Sequence, residues 1–315
     1  MHFSRLAVLL VASDDPTAMA FSQGLKAKPE RVGDDLVAEL DRLRKAAGPG
    51  RRKHLTTVLI TDGLAGTGEK LVADLYERTS HAQIVGGAAG DEGKFTSTYV
   101  GAGAQADIDA AGAVHVLSRS PWGLGVNHGL RPTTKPMRVT KAVDNVVYEL
   151  DGEPAFSVYK RHAASRGTEL TPQTAGPYLI GNELGIHFFD RIARARAPLS
   201  VGADGSLTCA AEIPKGSMVS ILDGEPATMV AAARSAAEEA NERLEGAEAA
   251  GVLLFDCVCR GMILKDEFDR EVEAVRAVFG DVPIAGFLTY GEIARSPEKL
   301  DGWHNTTAVV VAIPK

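Results

Sequence analysis

The chain has 315 residues, of which 45% are apolar and 24% charged, enough material for two domains with ordinary globular cores. A formal net charge of −7, with no basic run beyond Arg51-Arg52-Lys53, argues against a nucleic-acid surface, and that triplet reads as a solvated turn before a strand. No apolar stretch approaches the ~18–20 residues of a membrane span, so neither nucleic acid nor membrane is an expected partner. Cys209, Cys257 and Cys259 are too few, and odd in number, for a disulfide framework, which points to reduced thiols and a cytoplasmic location.

In chain order, the apolar run 6–12 imitates a short signal peptide, with Ala18-Met19-Ala20 as a mock cleavage site. Asp14, Asp15 and Pro16 interrupt it, and a buried first strand is the preferred reading. Leu36, Val37, Leu40 and Leu43 recur at helical spacing over 34–46. A buried-type strand over 57–63, a helix over 69–79 and a strand over 83–85 follow, leading into Gly86-Gly87-Ala88-Ala89-Gly90-Asp91. An apolar strand over 111–117 closes this half. Residues 122–150 read as several strands with a turn at Asp144-Asn145. The stretch 161–177, rich in Gly, Pro, Ser and Thr, is the expected crossing between domains. The second half repeats the plan, with a strand over 251–257 and a helix over 265–279 whose stripe is Phe268, Val272, Val275 and Phe279. Next come a strand at 282–284, the run Ala285-Gly286-Phe287-Leu288-Thr289-Tyr290-Gly291-Glu292, and a closing strand over 306–313.

One hexapeptide is written twice. Leu150-Asp151-Gly152-Glu153-Pro154-Ala155 recurs as Leu222-Asp223-Gly224-Glu225-Pro226-Ala227, each time after a strand-like run and before a helical one. Ser13-Asp14-Asp15-Pro16 is a degenerate third version. The physical sense is a strand-to-helix elbow: glycine permits the turn, an acid caps free N–H groups, and proline suits the first helical position. These acids are therefore expected to be structural. The predicted fold is mixed α/β (α+β), two pseudo-repeated halves each with a mixed sheet and packed helices, divided into domains 1–165 and 166–315.

The chain resembles the FIST family of paired FIST N and FIST C domains. The N-terminal likeness rests on Ile84 through Asp91, on Asn127-His128-Gly129-Leu130-Arg131-Pro132, and on Asp144-Asn145 leading to the first hexapeptide. The C-terminal likeness rests on Ile213-Pro214-Lys215-Gly216, Cys257-Val258-Cys259-Arg260-Gly261, Pro283 through Ile293, and His304-Asn305-Thr306-Thr307. The resemblance implies an intracellular sensory module for signal transduction, with a small ligand such as an amino acid. It also implies a separate output protein such as a kinase; some family members resemble haem-binding nitric-oxide sensors.

Candidate ligand contacts cluster in the glycine-containing strand ends, where open α/β sheets bind ligands. They are Gly86, Gly87 and Asp91 in the first half, Asn127 and His128 between the halves, and Cys257, Cys259, Arg260, Gly286, Phe287, Tyr290 and Glu292 in the second. Arg260 suits a ligand carboxylate or a structural ion pair. The two cysteines suit core packing or a ligand-facing pair, and Phe287, Tyr290 and Glu292 could wall a pocket for an ammonium or hydroxyl. His128 is the candidate axial ligand if haem is bound. Cys-x-Cys with a distant Cys209 lacks the paired knuckles of a zinc site, so no other metal and no resident cofactor is expected. No complete acid–base or nucleophilic constellation can be assembled; the chain reads as a sensor rather than an enzyme, with an interaction scaffold as the remaining alternative.

Overall fold

A computed structural model describes residues 9–48, 50, 52–79, 82–189, 191–296 and 302–315. The chain folds into two compact units that do not follow the order of the sequence: Met1–His128 with Val230–Lys315 form the first, and Gly129–Met229 the second. In the first unit the chain runs through β1 (Thr17–Gln23), α1 (Pro29–Ala47), β2 (His54–Asp62), α2 (Gly68–Thr79) and β3 (Gln83–Ala89). A hairpin, β4 (Val100–Ala102) and β5 (Gln105–Asp107), leads to β6 (Ala110–Ser118) and β7 (Gly123–Asn127). The second unit holds β8 (Arg131–Pro132), β9 (Met137–Val143), β10 (Val146–Leu150), β11 (Glu153–Pro154), α3 (Ala155–Ser165) and α4 (Gly176–Gly181). It continues with β12 (Asn182–Phe188), β13 (Arg191–Arg196), β14 (Pro198–Val201), β15 (Leu207–Cys209) and β16 (Met218–Asp223). Helix α5 (Pro226–Glu242) returns the chain to the first unit. There β17 (Ala249–Cys257), α6 (Val258–Leu264), a 3-10 turn (Lys265–Glu267) and α7 (Phe268–Phe279) precede β18 (Ile284–Thr289), β19 (Glu292–Arg295), β20 (Trp303–His304) and β21 (Ala308–Pro314).

The first unit is a duplication. One sheet has the order β1-β6-β2-β3-β19-β20 and the other β18-β17-β21-β7. In each, a parallel pair is joined through helices (β2 to β3 through α2, β17 to β18 through α6 and α7), and two further strands pair antiparallel beside it. The registers superimpose. Ala20, Ala113, Leu59 and Gly86 form one row, and Gly125, Val310, Leu254 and Gly286 form its counterpart. The largest difference between the copies is an insertion: between the first and second strands of the plan, the second copy carries the whole of Gly129–Met229.

Alternation along the strands builds the layers. Val85, Val116, Trp122, Leu124, Phe255, Val309 and Val311 meet in one cluster between the two sheets. Val252, Leu254, Val310 and Ala312 point the other way, onto Ala233, Ala236, Ala237 and Ala240 of α5 and Val275 of α7. Helix α1 buries Val32, Leu36, Leu40 and Leu43. Its stripe therefore starts earlier than sequence spacing predicts, and Val37 is only half-buried. His115 is a packing residue; its Nε2–H donates to the Leu36 carbonyl at 3.0 Å and its Nδ1 accepts from Thr57 Oγ1 at 2.9 Å. The second unit is an antiparallel sheet of nine strands over a core of Leu150, Phe156, Tyr159, Leu179, Leu184 and Ile221.

Three expectations change. Of the predicted strand 6–12, residues 6–8 lie outside the described residues and 9–12 are not in a strand. The first strand is β1, where Ala20 and Ser22 point inward while Leu10 is 90% exposed, so no helix follows the Ser13 elbow. The crossing expected at 161–177 lies inside the second unit, with α3 and α4 in it. Both hexapeptides do lead from a strand into a helix, but β10 and β16 belong to the same nine-stranded sheet, so the hexapeptide does not mark the structural repeat. Asp151 also does not cap α3: its carboxylate accepts the Arg138 N–H at 2.7 Å, and Pro154 holds the N-cap position.

Gly86 and Gly286 are equivalent for a steric reason. A Cβ at Gly86 would lie 1.9 Å from the Leu59 carbonyl oxygen, and one at Gly286 would lie 1.8 Å from that of Leu254. Gly86→Ala and Gly286→Ala are each expected to cost about 1–3 kcal/mol through backbone displacement. A urea titration should show this as a lower midpoint at unchanged slope.

Candidate functional site

The duplicated topology brings one end of each sheet's strands together. In the second sheet the C-terminal ends of β7, β17 and β18 and the start of β21 form one edge, with Asn127 beside Ala308 and Cys257 beside Thr289. The turn after β18 then crosses to the first sheet, where Glu292 and Ile293 pair with Gly87 and Gly86. Every candidate residue thus lies in the first unit.

At the centre is a buried charge cluster. Arg260, on α6, is fully buried; so is Glu271 of α7, and Asp256 near the end of β17 is 1% exposed. The Arg260 Nε–H donates to Glu271 Oε1 at 2.9 Å, and Nη2 reaches the same carboxylate. Nη1 donates to the His128 carbonyl at 2.7 Å and the Thr306 carbonyl at 3.3 Å. Asp256 Oδ1 lies 3.1 Å from Nε, whose single hydrogen is directed at Glu271, so that contact is chiefly coulombic. Burial pushes the Asp256 carboxyl well above its ordinary range, and the nearby Glu271 adds to the shift. Burial raises Glu271 as well, against the pull of Arg260. Desolvation alone would lower the Arg260 guanidinium, but Glu271 and Asp256 outweigh it and hold it charged.

Glu292 is the third buried acid. Burial pushes its carboxyl well above the usual range. Its Oε1 lies 2.5 Å from Thr289 Oγ1, and its Oε2 accepts the Thr307 N–H at 3.1 Å. Thr289 Oγ1 also lies 3.2 Å from the Asp256 carbonyl. One hydroxyl hydrogen cannot serve two acceptors. A proton on Glu292 Oε1 resolves the conflict: Glu292 donates to Thr289, and Thr289 donates to the Asp256 carbonyl. Beside this chain, Thr306 is fully buried at φ 53°, a rare left-handed conformation for a β-branched residue and the kind of backbone outlier that gathers at functional sites.

The surface side of the site is a latched loop. Asp91 accepts N–H groups from Phe95 (2.8 Å), Thr96 (2.6 Å) and Ser97 (3.1 Å), together with the hydroxyls of Thr96 and Tyr290. Desolvation pushes its carboxyl up, but the Tyr290 hydroxyl and the loop N–H groups together hold it far below the ordinary carboxylate range. The Tyr290 hydroxyl in turn accepts the Gly93 N–H at 2.9 Å, and its ring stacks on Phe95 with centroids 4.5 Å apart.

These placements sort the predicted residues. Asp91 and Tyr290 are brought into direct contact, and Gly86, Gly87 and Glu292 into adjacent strands. Arg260 is committed to protein partners, among them the backbone carbonyl of His128. Cys257 and Cys259 are buried thiols outside any disulfide, but alternation along a strand does not set them on one face, because Cys259 already lies in α6. Phe287 sits edge-to-face with Phe255 at 5.7 Å rather than beside Tyr290's stack. Sequence reasoning missed Asp256, Thr289, Thr306 and Glu271. The signals were present: Asp256 is the acid in an otherwise apolar strand, and Glu271 occupies the apolar face of α7, one turn from Phe268 and Val275.

The FIST N domain matches residues 4–153 and the FIST C domain residues 155–295. The chain belongs to the FIST family. FIST domains are associated with sensing in signal transduction. Among relatives, an uncharacterized protein of Methanocaldococcus jannaschii is 35% identical over 91 residues, 29% of this chain and 18% of its own. Uncharacterized proteins of Mycobacterium bovis and Mycobacterium tuberculosis are each 28% identical over 196 residues, covering 59% of this chain and 50% of theirs. The matched stretches thus span half or less of these relatives. The two FIST matches meet next to Pro154, inside the second compact unit, so the family's sequence domains and the folded units are different partitions of the chain.

No described helix is long and apolar enough to cross a membrane. Among the cavities of the first unit are one of about 680 Å³ beside β1 and β6 and one of about 400 Å³ at the starts of β2 and β3; no candidate residue lines these two. Among the described residues, no group of three His, Cys, Asp or Glu side chains could hold a metal ion.

Two substitutions test the cluster. Arg260→Met leaves two buried acids without their cation and is expected to cost about 3–5 kcal/mol, read by chemical denaturation. Glu292→Gln keeps both hydrogen bonds, with the amide N–H₂ donating to Thr289. In the native chain a carboxyl whose folded pKa is raised contributes stability that is full below its unfolded value and lost as pH rises through the folded one. The Gln variant should therefore equal or exceed the native chain in stability at neutral pH. Its advantage should shrink as pH falls towards the ordinary carboxylate range, in thermal melts across pH.

Proposed function

We propose that this FIST protein is a non-catalytic sensory module that binds a small, polar, amino-acid-like ligand at the joined strand ends of its first unit. Binding is passed to a separate output protein such as a kinase. The observation that carries the reading is convergence: candidate residues from both halves meet at one strand-end edge, the usual place for ligands in open α/β sheets. There a surface latch, Asp91–Tyr290, is two residues from a buried acid, Glu292.

The surface latch supplies the group that an amino-acid ammonium would meet: the Asp91 carboxyl, held far below the ordinary carboxylate range by the Tyr290 hydroxyl and the loop N–H groups.

Thermal-shift measurements with amino acids and related amines test the reading. A binding ligand at a hundred times its Kd should add about 2.7 kcal/mol to stability, with a smaller shift in Tyr290→Phe, which unlatches the Asp91 loop. A screen without hits, or hits of equal size in Tyr290→Phe, would reject this site.

A further inference from the structure

The two copies in the first unit differ at one edge. In the first sheet the outer side of β3 is covered by β19, which pairs antiparallel with Ile293 opposite Gly86. In the second sheet the equivalent strand, β18, is terminal among the described residues. Its parallel pairing to β17 (the Val252 N–H donates to the Pro283 carbonyl at 2.9 Å) directs the main-chain groups of Ala285 and Phe287 inward and those of Ile284 and Gly286 outward. Gly286 and Phe287 are exposed, and Phe287 is 39% accessible. From Ile284 to Thr289 there is no charge, proline or bulge, the devices that blunt a strand edge against pairing.

We propose that β18 is a dimerisation edge and that its occupant is β18 of a second copy of this chain. The strands pair antiparallel about a two-fold axis at Ala285. This register puts Ile284 opposite Gly286 of the second copy, and the reverse, repeating the Ile293–Gly86 pair that already covers β3. All four outward groups of Ile284 and Gly286 find partners in it, and each glycine gains an isoleucine as its cross-strand neighbour. Phe287 falls opposite Pro283 of the second copy. The uncharged strand meets itself without repulsion, and two four-stranded sheets become one of eight. A heterologous peptide would need only one such edge; the self-complementary Ile–Gly register is what favours a second copy. The proposal is independent of any ligand.

Sedimentation velocity on the full chain tests it, with a dimer expected at micromolar concentration. Ala285→Lys places like charges directly across the axis and should shift the protein to monomer, with circular dichroism checking the fold. Ala285→Cys brings two thiols together in a non-hydrogen-bonded pair about 4.5 Å apart at Cα, so mild oxidation should cross-link it into a covalent dimer. The native cysteines are buried and should not cross-link. A monomeric native chain, or a dimer that survives Ala285→Lys while Ala285→Cys fails to cross-link, overturns the proposal. If the lysine variant does not fold, the cross-link alone decides.

Discussion

The guanidinium of Arg260 is the constraint on which the candidate site depends. It touches four pieces of chain: Asp256 at the end of β17 and Glu271 on α7, both near it in sequence, and the distant carbonyls of His128 after β7 and Thr306 before β21. A buried charge is tolerated only when paired and hydrogen-bonded, so each contact must form together with the others. The left-handed turn at Thr306 fits this picture. The Arg260 hydrogen bond to its carbonyl is one of the interactions that over-determine a conformation costing of order 1–3 kcal/mol on its own. Burial therefore makes Arg260 a fastener of the strand-end edge, whatever a ligand adds.

From that fastener a chain of short-range contacts reaches the surface. Thr289 faces the Asp256 carbonyl and Glu292, Tyr290 grips Asp91, and Glu292 reaches Thr307. Within this one turn, alternate residues serve the buried cluster and the surface loop. Tyr290 is bonded in the chain to Thr289, whose hydroxyl lies between Glu292 and the Asp256 carbonyl. The surface loop and the buried acids are thus joined by the connectivity of a single turn.

Much of this architecture was legible in the sequence, and the failures have physical causes. The strands over 57–63 and 251–257 and the helices between them announce themselves by apolar runs and helical stripes, and their parallel is the structural repeat. The identical hexapeptides mislead because a strand-to-helix elbow needs the same turn chemistry wherever it occurs; identity there reports local geometry, not common ancestry of the flanking folds. The insertion of Gly129–Met229 leaves no local signal, since nothing in local periodicity says which strands will pair. β1 was missed because its short alternating residues, Ala18, Ala20 and Ser22, carry little hydrophobic signal beside the leucine-rich run before it. At the site, Tyr290 and Asp91 were visible as residue types, but their partnership spans two halves of the chain and only the β3–β19 pairing creates it. Arg260 read equally well as a ligand grip or an ion pair, and only Glu271, on a helix whose buried face should have been apolar, shows what it holds.

The shared registers show how the copies diverged. Leu59 and Leu254 occupy equivalent rows, so Asp62 corresponds to Cys257 and Thr61 to Asp256. A shift of one residue turns a side chain to the opposite strand face. In the first copy the strand-end acid meets loop donors: Asp62 accepts the N–H groups of Leu64 at 2.8 Å and Asp109 at 2.6 Å, with the Thr98 hydroxyl beside them. In the second copy the acid lies one residue earlier, on the face covered by helices, whose side chains rather than free N–H groups line that face. A cation must then come from a helix, and Arg260 at i+4 supplies it. Glu271 over-compensates that cation, which leaves the cluster acidic and prone to hold a proton. The first copy thus satisfies its strand-end acid with loop donors, and the second satisfies its acid with a buried cation from a helix, a difference that follows from a one-residue displacement.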